Sequence, residues 1–146
     1  MRYLTITALA AIIVSGMLAV AMRTLHADEA RVVEIRSYNL KPGTRERFHR
    51  LFLKEALPML HRWKVDVVAY GPSLHDETSY YLMRAFPNVA ERQKSEDAFY
   101  GSEEWRQGPR EAILADIESY TTIVVPLDAV AIKSLRALTR DRESRK

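Results

Sequence analysis

From residue 32 to 40 apolar and polar side chains largely alternate, which predicts a strand with Val33 and Ile35 on one face and Glu34, Arg36 and Tyr38 on the other. Pro42-Gly43 ends it, and Thr44 stands where a helix N-cap is wanted. From about residue 45 to 63 the period changes. Phe48, Leu51, Phe52, Ala56, Met59, Leu60 and Trp63 then form one apolar stripe at helical spacing. Pro58 lies inside that stripe and predicts a bend, because proline removes a backbone hydrogen bond. Residues 65–70, closed by Gly71-Pro72, and residues 78–86 read as two strands of a long-looped hairpin. Asn88, with Glu91 three residues on, opens a second helix that Gly101 ends. Ser102 restarts a short helix carrying Trp105, and Pro109 opens a last helix through Ile113 and Ile117. Residues 120–127 then make a fourth strand.

The order β-α-β-β-α-β predicts an α+β, ferredoxin-like fold, an antiparallel sheet with helices on one face. Alternation places Val33, Ile35, Val65, Val67, Ala69, Tyr81, Met83, Ile123 and Val125 under the helices. The uncovered face then carries Glu34, Arg36, Tyr38, Asp66, Val68, Tyr70, Tyr80, Leu82, Arg84, Tyr120, Thr122 and Val124. Two arginines, two acids and four tyrosines among aliphatic groups suit an amphipathic interface between two sheets. Glu34, Arg36, Tyr38, Asp66, Tyr70, Tyr80 and Arg84 are accordingly the candidate ligand-binding or interface residues. On one reading the charges form an ion-pair network that fixes a homodimer, since buried charges have to be paired. On the other, arginines hold an anion and tyrosines wall a pocket for a small aromatic or anionic compound.

Composition adds the compartment. Residues 4–22 carry no charge and follow the short basic start Met1-Arg2-Tyr3, the pattern of an export signal. Residues 1–27 are thus expected to be a signal peptide, or an uncleaved N-terminal anchor, and the domain to be periplasmic or secreted. Residues 28–128 make the folded domain and 129–146 a basic tail, read as a frayed terminus or as a short amphipathic helix touching anionic lipid. Cysteine is absent, which excludes disulfides, thiolate metal sites and thiol catalysis. The overall net charge of +3 is misleading, because residues 28–132 hold 14 basic and 17 acidic residues. No basic face is left for nucleic acid.

Glu34-Ile35-Arg36-Ser37-Tyr38-Asn39-Leu40-Lys41-Pro42-Gly43 resembles the opening motif of NIPSNAP domains, E-L-R-x-Y-x-L-K-P-G. Leu57-Pro58-Met59-Leu60, Val68-Ala69-Tyr70, Leu82-Met83-Arg84 and Ala90-Glu91-Arg92 continue the likeness. The run from Phe99 to Glu111 is similar to bacterial exported members, so the resemblance covers about residues 31–127. It implies a protomer of the dimeric α/β-barrel superfamily, with two sheets packed face to face. Lys64 departs from the pattern, standing where the family usually has glycine. The family supplies no established catalytic residues.

Other chemistry is sparse. His49 and His61 lie about 120° apart around the first helix, no H-E-x-x-H motif is present, and both read as solvated. No metal or cofactor is therefore expected. The expected function is an exported homodimeric binding or interaction module. The alternative is a cofactor-independent monooxygenase acting on a phenolic or quinol compound, with Arg36, Tyr38, Tyr70 and Arg84 lining its site.

Overall fold

The structure, a computed structural model, describes residues 31–143. The expected signal peptide, residues 1–27, lies outside the described residues. Strand β1 (Arg31–Leu40) leads through the Pro42-Gly43 turn into helix α1 (Arg45–Leu51), a π-helical segment (Phe52–Ala56) and helix α2 (Leu57–Arg62). Strands β2 (Asp66–Pro72) and β3 (Ser79–Phe86) follow, then helices α3 (Val89–Gly101), α4 (Glu103–Gln107) and α5 (Arg110–Asp116). Strand β4 (Ile117–Leu127) and helix α6 (Ala129–Glu143) are the last elements among the described residues. The sheet is antiparallel in the order β2-β3-β1-β4, the ferredoxin-like topology.

Local signals act much as expected. Asn88 Oδ1 accepts from the Glu91 N–H at 2.9 Å, and Ser102 Oγ accepts from the Trp105 N–H at 3.1 Å. At Pro58 the helix continues, and the wider π turn just before it accommodates the missing N–H. Thr44 does not cap with its side chain, and its hydroxyl donates back to the Lys41 carbonyl at 2.8 Å. Lys64 takes the left-handed conformation, φ 56°, that glycine would adopt more easily. The last helix stops at Asp116, so β4 begins three residues earlier than its sequence suggested.

The assignment of sheet faces is inverted. Tyr38, Tyr70, Tyr80 and Leu82 pack with Phe48, Phe52, Leu60, Phe99 and Trp105, so the face with Glu34, Arg36 and Arg84 lies under α1–α5. Val33, Val68, Ala69 and Ala85 form a second cluster, with Ile35, Tyr81 and Met83 packed against it. Alternation fixes which residues share a face and leaves open which layer covers it. A bulge between Val67 and Ala69 adds a second correction. It sends Asp66 and Val68 to the face opposite Tyr70, while Val65 and Val67 lie on the helix side, where the alternation had placed them.

The presumed basic tail supplies the second layer. Helix α6 lays Ile132, 3% exposed, and Leu135 against the small side chains of that face. Asp66 pins it there, accepting from Arg136 Nη2 at 2.5 Å and from Arg31 Nη1 at 2.8 Å. Beyond α6 the same face stays open at Ile123, 53% exposed on edge strand β4, and on the first turn of α6 itself Val130 is 74% exposed. Among the described residues no helix is long and apolar enough to cross a membrane.

Candidate functional site

Register creates the centre of the site. Glu34 on β1 stands directly opposite Arg84 on β3, and Arg36 stands opposite Thr122 on β4. Cross-strand neighbours are close enough to pair. Arg84 Nη2 bonds both Glu34 Oε1 and Glu96 Oε1, while Arg36 Nε donates to Thr122 Oγ1 at 3.3 Å. Helix α3 closes the cluster from above with Arg92, Glu96 and Tyr100, three residues at i, i+4 and i+8 on one helix face.

The contacts make one network. Arg92 Nε donates to Glu34 Oε2 at 2.6 Å, and its Nη2 lies 2.8 Å from Glu96 Oε2. Arg36 Nη2 donates to Glu96 Oε1 at 3.0 Å and its Nη1 to the Tyr100 hydroxyl at 2.8 Å. Arg84 Nη1 donates to the same hydroxyl at 3.2 Å. Glu34 is wholly buried and Arg84 is 1% exposed, so these charges depend on one another rather than on water. Burial pushes the Glu34 carboxyl up, but the Arg84 guanidinium with its hydrogen bond, helped by Arg36, outweighs that and holds it down to about 2. Burial, reinforced by the neighbouring Glu34 carboxylate, pushes Glu96 the other way. Burial also raises the phenols of Tyr38 and Tyr80 well above the usual tyrosine range.

The network opens on one side. A cleft of about 450 Å³ runs between the β1/β4 side of the sheet and helices α3, α4 and α5. Arg36, Glu96 and Asp97 are among its polar residues; Tyr38, Trp105, Ile113 and Tyr120 are among its apolar ones. Deeper in, Tyr38, Tyr100, Trp105 and Ile113 also border a void of about 30 Å³, whose far wall is Phe52 and Ala56 of the π segment. That is room for a water or a methyl-sized group. Tyr120 lies over the Arg36 guanidinium, 5.1 Å from ring centroid to Cζ, and is 59% exposed at the mouth. Arg110, on the first turn of α5, lines the cleft and has no ion pair among the described residues.

Of the sequence-predicted residues, Glu34, Arg36 and Arg84 come together, and Tyr38 sits beside them on the cleft wall. Tyr80 packs deeper, its hydroxyl 2.8 Å from Nδ1 of His49, which is half-buried instead of solvated. Tyr70 stacks on Phe52 away from the cleft, and Asp66 lies on the opposite face, holding α6. Glu96, Arg92, Tyr100 and Arg110 were missed. For the three on α3 a signal was available, because that helix has no continuous apolar stripe and so has to bury polar side chains on its inner side; Arg110, on α5, carried none. Among the described residues no three His, Asp or Glu side chains meet in a way that would hold a metal ion.

Fold and site together define a ferredoxin-like α+β domain with a charged, tyrosine-lined cleft between sheet and helices. The chain belongs to the NIPSNAP family, whose model matches residues 33–127. It is similar to a NIPSNAP family protein of unknown function from Agrobacterium tumefaciens, with TM-score 0.63 and 18% identity over 68% of this chain and 90% of that one. A second NIPSNAP family protein from the same organism gives 0.62 at 14% identity, over 66% and 85%. A Bordetella bronchiseptica protein described as a "Putative antibiotic biosynthesis monooxygenase" gives 0.54 at 18% identity, over 66% and 95%. At such identities the likeness establishes the fold. Among curated proteins no match is found. The family match ends at 127, so α6 is an addition beyond it.

Proposed function

We propose that this chain is an exported, homodimeric NIPSNAP-domain binding module that takes a small aromatic, anionic compound into the cleft. The observation that carries this is the charge balance of the network. Among the described residues Arg36, Arg84 and Arg92 face two carboxylates, Glu34 and Glu96, and Arg110 adds on the cleft lining a cation with no ion pair among them. Excess buried positive charge is costly unless an anion meets it. The aromatic walls supply the remainder of the affinity. Export rests on the uncharged run 4–22 behind Arg2. A second copy is the fitting cover for the open half of the second sheet face, where Ile123 and Val130 are exposed. Native mass spectrometry of the purified chain tests both points. Dimers should take up benzoate or naphthoate, one per protomer, and Leu114→Trp, which fills the cleft mouth, should abolish uptake. A monomer, or binding that ignores Leu114→Trp, refutes the corresponding part.

The second reading is a cofactor-independent oxygenase acting on a phenol or quinol, and Glu96 favours it. Its carboxyl lines the cleft and is raised by burial, which suits it to accept a phenolic proton. The resulting phenolate, electron-rich, would reduce dioxygen, one oxygen atom entering the ring and the other leaving as water, so that a quinol and dioxygen give a hydroxyquinone and water. Dioxygen uptake on adding a hydroquinone, lost in Glu96→Gln, would support it; no uptake removes it.

A further inference from the structure

We infer that the cleft reads its ligand through a seat made of the Tyr100 O–H set against the Arg36 guanidinium charge, built for the single acidic oxygen group of an aromatic monoacid. This rests on the binding reading above and adds the ligand class and the residue that selects it. The Tyr100 oxygen already accepts two guanidinium N–H groups, from Arg36 at 2.8 Å and Arg84 at 3.2 Å. A hydroxyl has two acceptor lone pairs and one proton. With both pairs engaged, the proton has to be donated, and no acceptor for it stands among the described residues. The cleft that Tyr100 lines is the open space beside it.

Arg36 is used up in the same way. Its Nε goes to Thr122, one Nη1 hydrogen to Tyr100, and Nη2 to Glu96 with Glu34 Oε1 3.3 Å away. Tyr38 is a further hydrogen-bond partner, so Arg36 stands beside the Tyr100 proton as a fixed positive charge. A donated proton next to a held cation fits a carboxylate or phenolate oxygen. The ring of such a ligand meets Trp105, which stands edge-on to Tyr100 at 5.5 Å, and the side chain of Ile113.

The same walls argue against a second acidic group. Glu96 and Asp97 both line the cleft; Glu96 is held by Arg36 and Arg92, and Asp97 accepts from Gln93 Nε2 at 2.7 Å. A dianion would bring its other charge against these carboxylates, which the exposed and solvent-screened Arg110 at the rim offsets only weakly. Specificity for one charge then comes from repulsion as well as attraction.

The experiment uses the full chain carrying Trp63→Phe, which leaves Trp105 as the sole tryptophan reporter. Benzoate should change its emission saturably, while neutral benzamide and the dianion terephthalate bind at least about tenfold more weakly, the expected worth of a charge-assisted hydrogen bond. Tyr100→Phe, checked by its melting curve, should cost benzoate about tenfold and leave benzamide unchanged. Should that variant fail to fold, the benzoate-to-benzamide ratio decides alone. Phenolate, tested above its pKa, distinguishes a seat for any acidic oxygen from one for carboxylate. Equal affinity for benzoate and benzamide, or a folded Tyr100→Phe with unchanged selectivity, overturns the seat while the binding cleft stands. No saturable response to any ring compound overturns both.

Discussion

Replacing Glu34 by glutamine removes one negative charge from the centre of the sheet and keeps the shape. Both carboxylate oxygens are engaged, Oε1 by Arg84 and Oε2 by Arg92, so the new amide would turn donor hydrogens toward a guanidinium. The size of the effect follows from titration. Glu34 ionises near 2 in the fold against 4.5 outside it, so its charge stabilises the fold by about 3 kcal/mol at neutral pH. Because the folded value is the lower one, this stability is complete above the unfolded pKa and is lost as pH falls through the folded one. At pH 3 about 1.5 kcal/mol of it should remain. Glu96 works in the opposite direction, being raised by burial and by Glu34, and it relaxes once that neighbour is neutral. The net loss for Glu34→Gln is therefore expected at about 2–3 kcal/mol at pH 7, shrinking toward pH 3. Urea unfolding of the two proteins at both pH values measures it. A loss below about 0.5 kcal/mol at pH 7, or one that does not shrink with acid, would show that the charge is not paired as described.

Two further perturbations probe the scaffold. A Cβ at Gly108 would lie 2.4 Å from the Glu104 carbonyl oxygen and 3.3 Å from Met59 Cε. Gly108→Ala should thus lower stability by about 1–3 kcal/mol and move the α4–α5 junction at the cleft; an unchanged melting temperature would mean that this turn yields freely. Ile132→Asp puts a charge on the inner face of α6, where burial of the isoleucine contributes about 1.5–3 kcal/mol. The helix should detach and the bared face self-associate, seen as faster sedimentation. Unchanged sedimentation and stability would show that α6 does not cover the sheet.

Element order, hairpin pairing and the two strongest caps were legible because each rests on local chemistry: the period of apolar residues, Pro-Gly punctuation, Asn88 and Ser102. The side of the sheet that the helices cover was not. A strand covered on both faces carries no solvent-facing set, and here the small-residue face receives α6 while the polar face receives α3. The bulge at Val67–Ala69 is also silent in sequence, and it alone removed Asp66 from the site. Glu96 and Tyr100 escaped because charges on a helix ordinarily mean a solvated face. The absence of an apolar stripe on α3 was the contrary sign.

The polar face that looked like one wall of an interface is instead roofed by the chain itself, and that changes what its charges mean. Shared between two subunits, an excess arginine finds its counter-charge in a partner. Enclosed within one protomer, Arg36, Arg84 and Arg92 have Glu34 and Glu96 as their counter-charges among the described residues, and the cluster meets open space at Arg36 and Tyr100. Apolar residues of similar volume would stabilise such a core as well or better. That the fold nevertheless keeps five charges at the centre of its sheet, with one cation left over beside an aromatic cleft, supports the proposal that an anion is received there. The dimer, if formed, then belongs to the other face, where α6 covers β2 and leaves β4 exposed. Ligand binding and self-association are in that case separable: Tyr100→Phe should alter one, Ile123→Asp the other, and a variant of either kind that altered both would place site and interface together after all.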